Sequence, residues 1–129
     1  MEENKKTILV VEDEEILISA VKKKLELGNF NVVSARSVEQ AINYLEEIEK
    51  IDLVWVDHYL LGKENGLDLV IKMKAENSKW KKIPIFVISN TATHDKVQSY
   101  IQLGVEKYFV KSNYKLDEII KDISATLLK

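Results

Sequence analysis

Residues 53–62 have the sequence LVWVDHYLLG, which is the most informative segment for the fold. Four apolar residues, Leu53 to Val56, are typical of a strand that is buried on both faces of a parallel sheet. Asp57 follows them directly, where an uncompensated charge is costly. The pattern predicts a buried strand, and the charge at its end indicates a chemical role for Asp57. The residues at the ends of the other strands indicate what that role is.

Other short apolar runs alternate with amphipathic stretches. Besides 53–57, the predicted strands are residues 7–11, 30–35, 83–88 and 105–110. Apolar residues recur at helical spacing between them, with a helix end at Gly28, a capping box from Ser37 to Gln40 and a further end at Gly104. Five strand–helix units predict an α/β fold, a doubly wound parallel five-stranded sheet with right-handed crossovers.

Composition limits the classes of function. The 129 residues are 46% hydrophobic, which fits one domain with a core. The predicted elements run from Thr7 to Leu128 and end with the fifth helix, so we expect a single domain over residues 1–129, with its core over 7–128 and no room for an output domain. The net charge of −2 gives no basic field for nucleic acid. The chain has no cysteine for disulfide or thiol chemistry. A polar start and short apolar runs predict a cytoplasmic protein without membrane contact.

Chemically active side chains follow four of the five strands. In order, these residues are Glu12, Asp13, Asp57, Ser89, Asn90, Thr91 and Lys111. In open parallel sheets, ligands bind outside the carboxyl ends of the strands. Taken singly, Asp13 could be a helix cap, Ser89 a turn residue and Lys111 a solvated charge. Their coincidence at one edge predicts a shared site.

Three carboxylates at one edge repel each other unless a cation joins them. Mg²⁺ fits an all-oxygen set and keeps water ligands for phosphate oxygens, with Mn²⁺ as an alternative. An ionised Asp57 beside this ion can attack phosphorus. Lys111 and the Ser89 hydroxyl can then neutralise the transferring group. The sequence therefore predicts that Asp57 accepts a phosphoryl group.

The chain resembles the receiver domains of two-component response regulators from Thr7 to about Leu128. The resemblance rests on ILVVEDEE, LVWVD, PIFVISN and GVEKYFVKS, with 44 residues from Asp13 to Asp57 and 22 from Ser89 to Lys111. It implies a flavodoxin-like (βα)₅ receiver fold with strand order 2-1-3-4-5. It also implies a protein that catalyses only its own phosphorylation and dephosphorylation, and is otherwise not an enzyme.

The resemblance assigns roles to individual residues. Asp57 would receive a phosphoryl group from a histidine kinase or phosphotransfer protein. The metal site would comprise Glu12, Asp13, Asp57 and the backbone carbonyl of Tyr59. The remaining roles are phosphate sensing by Lys111, switching by Ser89 and Tyr108, and tuning of the phosphoryl lifetime by Tyr59 and Thr91. The face formed by helix four, strand five and helix five would bind a downstream protein or a second copy of the domain.

Several positions depart from the family pattern. Leu61 replaces the usual proline four residues after the acceptor, and Gly66 lies nine rather than eight residues after it, so the loop is one residue longer. Asn90 is larger than the usual small residue and would narrow access to Asp57. Ser112 replaces a proline that is commonly cis. A cis bond before a non-proline residue costs about 3 kcal/mol, so either a trans bond with a rearranged loop or a strained cis bond is expected.

Three other interpretations of the sequence compete with a phosphoacceptor function. A pseudo-receiver would have the same fold and bind proteins without phosphorylation. An aspartate-nucleophile phosphohydrolase usually carries a second Asp two residues after the nucleophile, where this chain has Tyr59. A flavodoxin-like cofactor binder needs a Ser-, Thr- or Gly-rich loop after strand one, whereas residues 12–15 are Glu-Asp-Glu-Glu and would repel phosphate.

Overall fold

Five strands and five α-helices alternate along the chain in this computed structural model, which describes residues 1–2, 4–90 and 93–128. The strands are β1 (Thr7–Val11), β2 (Asn31–Ala35), β3 (Leu53–Val56), β4 (Ile85–Ser89) and β5 (Lys107–Val110). The helices are α1 (Glu15–Leu27), α2 (Val38–Glu47), α3 (Gly66–Lys74), α4 (His94–Leu103) and α5 (Leu116–Leu127). Within the described ranges, no helix has both the length and the apolar character needed to cross a membrane.

The strands form one parallel sheet in the order β2-β1-β3-β4-β5, which confirms the predicted topology. The register aligns the carboxyl ends of the central strands, because Val11 pairs with Ala35 on one side and with Val56 on the other. The residues that follow β1 and β3 therefore emerge side by side. This alignment brings the acidic residues after two distant strands to one edge of the sheet.

The core has two apolar layers, one on each face of the sheet. Helices α2, α3 and α4 pack on one face, where Leu45, Leu69 and Tyr100 are buried. Helices α1 and α5 pack on the other, where Leu25 and Ile119 are buried. Each fully buried large apolar side chain contributes about 2 kcal/mol to the stability of the fold. The sheet is thus covered on both faces and keeps its carboxyl edge for polar groups.

The start of α2 follows the predicted cap only in part. The Gln40 backbone N–H donates to the Ser37 hydroxyl at 3.1 Å, as a capping residue requires. The Gln40 side chain, however, accepts the backbone N–H of Arg36 at 2.7 Å rather than that of Ser37. The reciprocal half of the expected capping box is therefore displaced by one residue, because Gln40 reaches past the cap to the end of β2.

Two backbone hydrogen bonds hold the loop between β3 and α3. The Leu61 N–H donates to the Arg36 carbonyl at 2.9 Å, and the Gly66 N–H donates to the His58 carbonyl at 2.8 Å. A β-carbon on Gly66 would lie only 2.4 Å from the Asp57 carbonyl oxygen. The loop is thus anchored at Leu61 and Gly66, and α3 begins against the backbone of Asp57.

The segment after β5 settles the alternatives for the bond before Ser112. The structure contains no cis peptide bond among its described residues, so Lys111–Ser112 is trans. A single turn of 3₁₀ helix, Lys111–Asn113, follows β5 directly. The chain therefore leaves β5 through a trans bond and a 3₁₀ turn, and Lys111 lies directly after the strand.

Candidate functional site

Three carboxylates meet at the carboxyl edge of the sheet. One oxygen from each of Glu12, Asp13 and Asp57 lies within 4.8 Å of the others. The Asp57 N–H donates to the Val11 carbonyl at 2.9 Å, so sheet pairing continues up to the acceptor residue. Glu12 is fully buried and Asp57 is only 3% exposed, whereas Asp13 is half-buried. The predicted acidic cluster therefore forms, with its charge concentrated at a dry end of β1 and β3.

Glu12 is held by the first turn after β1. Its Oε2 accepts the backbone N–H groups of Asp13 at 3.0 Å and Glu14 at 3.2 Å. Burial raises the pKa of Glu12 to about 7, and the negative charge of Asp57 adds to this shift, while a hydrogen bond from Lys111 opposes it. The buried carboxyl groups of Glu12 and Asp57 therefore favour the binding of a cation between them.

Lys111 supplies positive charge to the carboxylates. Its Nζ lies 2.8 Å from Glu12 Oε1 and 3.4 Å from Asp57 Oδ2. Burial opposes the ammonium form, but the hydrogen bond to Glu12 and the charge of Asp57 raise the pKa of Lys111 above its ordinary value. Lys111 therefore remains charged at neutral pH and reaches the same carboxylate that is predicted to accept the phosphoryl group.

The donor atoms fit a hard divalent cation. The cluster offers only carboxylate oxygens, the ligand type that Mg²⁺ and Mn²⁺ prefer. Asp57 Oδ1 accepts the His58 backbone N–H at 2.8 Å, which orients the carboxylate and leaves Oδ2 toward Lys111. Two buried acids with a single lysine are under-neutralised, which is a chemical reason for a metal ion at this position.

Ser89 and Tyr108 lie together on the neighbouring strands. The Ser89 side chain is fully buried at the end of β4 and is hydrogen-bonded to the half-buried Tyr108 of β5. Burial raises the pKa of Tyr108, and this hydrogen bond partly opposes the rise. The two residues that the family resemblance identifies as a switch are thus in direct contact.

The remaining predicted residues lie around the mouth of the site. The Tyr59 side chain is 52% exposed, and its ring contacts that of His58 edge to face at 4.9 Å. Asn90 is exposed, so its side chain is directed away from the buried interior of β4. Thr91, which the resemblance identifies as a tuner of phosphoryl lifetime, lies outside the described residues.

Sequence reasoning missed two side chains that the structure places beside the site. One is His58, a loop residue that is only 5% exposed and whose Nδ1 is hydrogen-bonded to the Tyr100 hydroxyl at 2.6 Å. The other is Arg36, whose Nε and Nη2 donate to the Asp13 carbonyl at 3.0 and 2.6 Å. The signal for His58 was weak, because helical spacing identifies Tyr100 as a core residue without indicating where its hydroxyl points.

Comparisons with known proteins agree with this architecture. A sequence model described as the response regulator receiver domain matches residues 8–124. The heme response regulator HssR of Staphylococcus saprophyticus is 30% identical over 122 residues, which cover 94% of this chain and 51% of HssR. The chain thus spans about half the length of this curated relative.

Two solved structures are similar along nearly the whole chain. The phosphorylated cyanobacterial phytochrome response regulator RcpA is 26% identical with a TM-score of 0.83, covering 97% of this chain and 95% of RcpA. The Mn²⁺-bound response regulator Rcp1 is 25% identical with a TM-score of 0.80, covering 93% and 92%. Together with the family match over residues 8–124, these similarities show that the chain belongs to the response regulator receiver domains of two-component systems.

Proposed function

We propose that Asp57 accepts a phosphoryl group from a phosphohistidine of a kinase or phosphotransfer protein, with a divalent cation at the acidic cluster. The observation that carries the proposal is the meeting of Glu12, Asp13 and Asp57 oxygens within 4.8 Å, with Lys111 Nζ 3.4 Å from Asp57. A structural role alone does not require three acids and one lysine at the dry end of a sheet.

In the proposed reaction, an Asp57 carboxylate oxygen attacks phosphorus and the phosphorus–nitrogen bond of the donor breaks. The imidazole leaves with the bonding electron pair and takes up a proton, and an aspartyl phosphate remains. A Mg²⁺ ion held by Glu12, Asp13, Asp57 and the carbonyl of Tyr59 would supply charge neutralisation to the phosphoryl oxygens. Lys111 would contribute a second cation, already aligned by Glu12 at 2.8 Å.

The output would arise from a shift between two conformations. Ser89 would form a hydrogen bond to the phosphoryl group, which changes its contact with Tyr108 and the face formed by α4, β5 and α5. That face would bind a downstream protein or a second copy of the domain. Tyr59 and Thr91 would tune the phosphoryl lifetime, as the family resemblance implies for the positions two residues after Asp57 and Ser89. Residues 1–129 would act as a single receiver domain, and a cytoplasmic location stays a prediction.

The test is the intact mass of the protein after incubation with a small acyl-phosphate donor, with and without Mg²⁺. We expect one phosphoryl adduct that depends on Mg²⁺ and is absent in Asp57→Asn. The matched control is Asp117→Asn on α5, an exposed carboxylate that keeps the adduct. A second pair of variants, Lys111→Met and Lys107→Met, is measured in the same way. It compares the effect on the adduct of removing the site lysine with that of removing an exposed lysine of β5.

The outcomes distinguish the phosphoacceptor from the pseudo-receiver. An adduct in the wild type and in Asp117→Asn, but not in Asp57→Asn, would support the proposal. An adduct that persists in Asp57→Asn would contradict it. No adduct together with no Mg²⁺ binding would favour a pseudo-receiver that binds its partners without phosphorylation.

A further inference from the structure

Two consecutive residues after the acceptor are attached to α4. The His58 ring is hydrogen-bonded to Tyr100, and the Tyr59 hydroxyl is 3.3 Å from Lys96 Nζ. The Lys96 ammonium also lies 5.4 Å from the centroid of the Tyr59 ring. Lys96 and Tyr100 are four residues apart, so they project from one face of the helix. We call these two contacts the loop–helix link.

The His58 end of the link is tied to the acceptor carboxylate itself. The His58 backbone N–H donates to Asp57 Oδ1, while the His58 carbonyl accepts the Gly66 N–H. The side chain and the backbone of one residue therefore contact α4, Asp57 and the first residue of α3. A change in the charge or position of the Asp57 carboxylate acts directly on the residue that contacts α4.

The Tyr100 end of the link is buried and well packed. Tyr100 has no exposed surface, its ring centroid is 5.8 Å from that of His58, and it is 5.6 Å from that of Tyr108. Burial holds the pKa of Tyr100 above its ordinary value, so the hydroxyl keeps its proton for the hydrogen bond. A buried polar group that lacks a hydrogen-bond partner costs free energy. The hydrogen bond between the neutral side chains of His58 and Tyr100 is therefore held in a defined geometry.

We infer that Tyr100 is a positioning residue that couples Asp57 to α4 through His58, with the Lys96–Tyr59 contact as a second, more exposed part of the same link. This coupling rests on the proposed phosphoacceptor function. It runs through His58 rather than through the hydrogen bond between Ser89 and Tyr108, although the Tyr100 ring also packs against that of Tyr108. It gives α4 its own connection to the acceptor, through the β3–α3 loop rather than through β4 and β5.

The test uses beryllium fluoride with Mg²⁺ as a tetrahedral mimic of the phosphoryl group, followed by amide chemical shifts. In the wild type we expect the mimic to shift signals of both α4 and β5. In Tyr100→Phe, which keeps the ring and removes the hydroxyl, the changes over residues 94–103 should shrink while those over 107–110 persist. Because coupling is reciprocal, the affinity for the mimic should also change about five-fold.

Control variants separate coupling from packing. Tyr44→Phe removes a hydroxyl from the half-buried Tyr44 of α2 and should leave the α4 response unchanged. His58→Asn places an amide near the position of Nδ1 and should retain part of the response, whereas His58→Leu should lose it. Lys96→Gln removes the contact with Tyr59 and leaves the hydrogen bond between His58 and Tyr100 in place. It should therefore reduce the α4 response less than Tyr100→Phe does.

The outcomes separate failure of the link from failure of the proposed function. A wild type that binds the mimic, with a Tyr100→Phe variant that has the same α4 shifts and the same affinity, would overturn the link alone. A wild type whose β5 responds while α4 does not would also overturn it. A folded wild type that shows no response to Mg²⁺ and the mimic would contradict both proposals.

Discussion

Gly66 shows how a single residue can be required by the approach of one backbone to another. It begins α3 directly against the carbonyl of Asp57, where an added β-carbon would lie 2.4 Å from the oxygen and 3.0 Å from the Tyr100 hydroxyl. A backbone atom cannot yield as a flexible side chain can. The identity of residue 66 is therefore linked to the position of the acceptor, and not only to the flexibility of a loop.

We predict that Gly66→Ala lowers the free energy of unfolding by about 2 kcal/mol through overpacking against Asp57. The matched control is Gly28→Ala at the end of α1, where the added carbon comes no closer than 3.3 Å to its neighbours and φ is −81°. Urea denaturation of both variants checks the difference. A loss for Gly66→Ala no larger than that for Gly28→Ala would contradict the close approach.

Glu12 gives a second prediction at the residue scale, because burial raises its pKa from an ordinary value of 4.5 to about 7. An acid whose pKa is raised by folding contributes stability that is complete below pH 4.5 and is lost as the pH rises through 7. Glu12→Gln cannot lose a proton there. In metal-free buffer, the wild type should therefore lose stability relative to Glu12→Gln between pH 5 and pH 8, by on the order of 2 kcal/mol.

Denaturation of both proteins at the two pH values, with a chelator present, measures this difference. Glu26→Gln on the exposed surface of α1 is the control and should run parallel to the wild type. A Glu12→Gln curve that also runs parallel to the wild type would show that burial does not raise the pKa of Glu12.

At the scale of elements, the helices differ in how much their N-terminal capping residues contribute to stability. The Ser37 hydroxyl accepts a backbone N–H at the start of α2, whereas Thr93 makes no side-chain capping bond to the described part of α4. We predict that Ser37→Ala costs about 1 kcal/mol of stability and that Thr93→Ala costs less than half of that. Thermal denaturation of the two variants checks the ranking, and equal losses would contradict it.

The loop–helix link belongs to the same scale, because it joins a loop to a helix that is distant in sequence. His58 and Tyr100 are separated by 42 residues and meet only when α3 and α4 pack on the same face of the sheet. The link connects α4 to the acceptor loop through the side chains of His58 and Tyr100. The affinity and chemical-shift experiments on Tyr100→Phe therefore probe an inter-element contact rather than a local one.

At the scale of the whole molecule, metal binding should stabilise the fold. The unfolded chain cannot hold Glu12, Asp13 and Asp57 together, so Mg²⁺ binds the native state selectively. At a free concentration one hundred times the dissociation constant, we predict an increase in the free energy of unfolding of about 2.7 kcal/mol. Denaturation with and without Mg²⁺ measures the increase.

The control for the Mg²⁺ effect again uses two aspartates. Asp57→Asn removes a ligand and should reduce the increase, while Asp117→Asn should keep it. An equal increase in both variants would show that Mg²⁺ binds elsewhere on the protein. Because the readout is stability, the result does not depend on a phosphoryl donor.

The order of strands and helices follows from the amino-acid sequence alone, since apolar runs and helical spacing are local patterns of burial. Together with the family resemblance, the sequence also anticipated the topology and the edge at which Asp57 and Lys111 would meet. The predicted bounds of the strands differ by at most two residues from those of the structure. Local patterns sufficed here because β–α units have a strongly preferred handedness and ligand edge.

The contacts of side chains that give no local signal depend on how the whole chain packs. The trans bond before Ser112, the contact of Gln40 with Arg36, and the burial of His58 all depend on neighbours that are distant in space or set by loop geometry. A hydroxyl such as that of Tyr100 has the same sequence signature whether it faces solvent or a histidine. Direction and partner are properties of the packed chain, because they emerge only when several elements occupy the same volume.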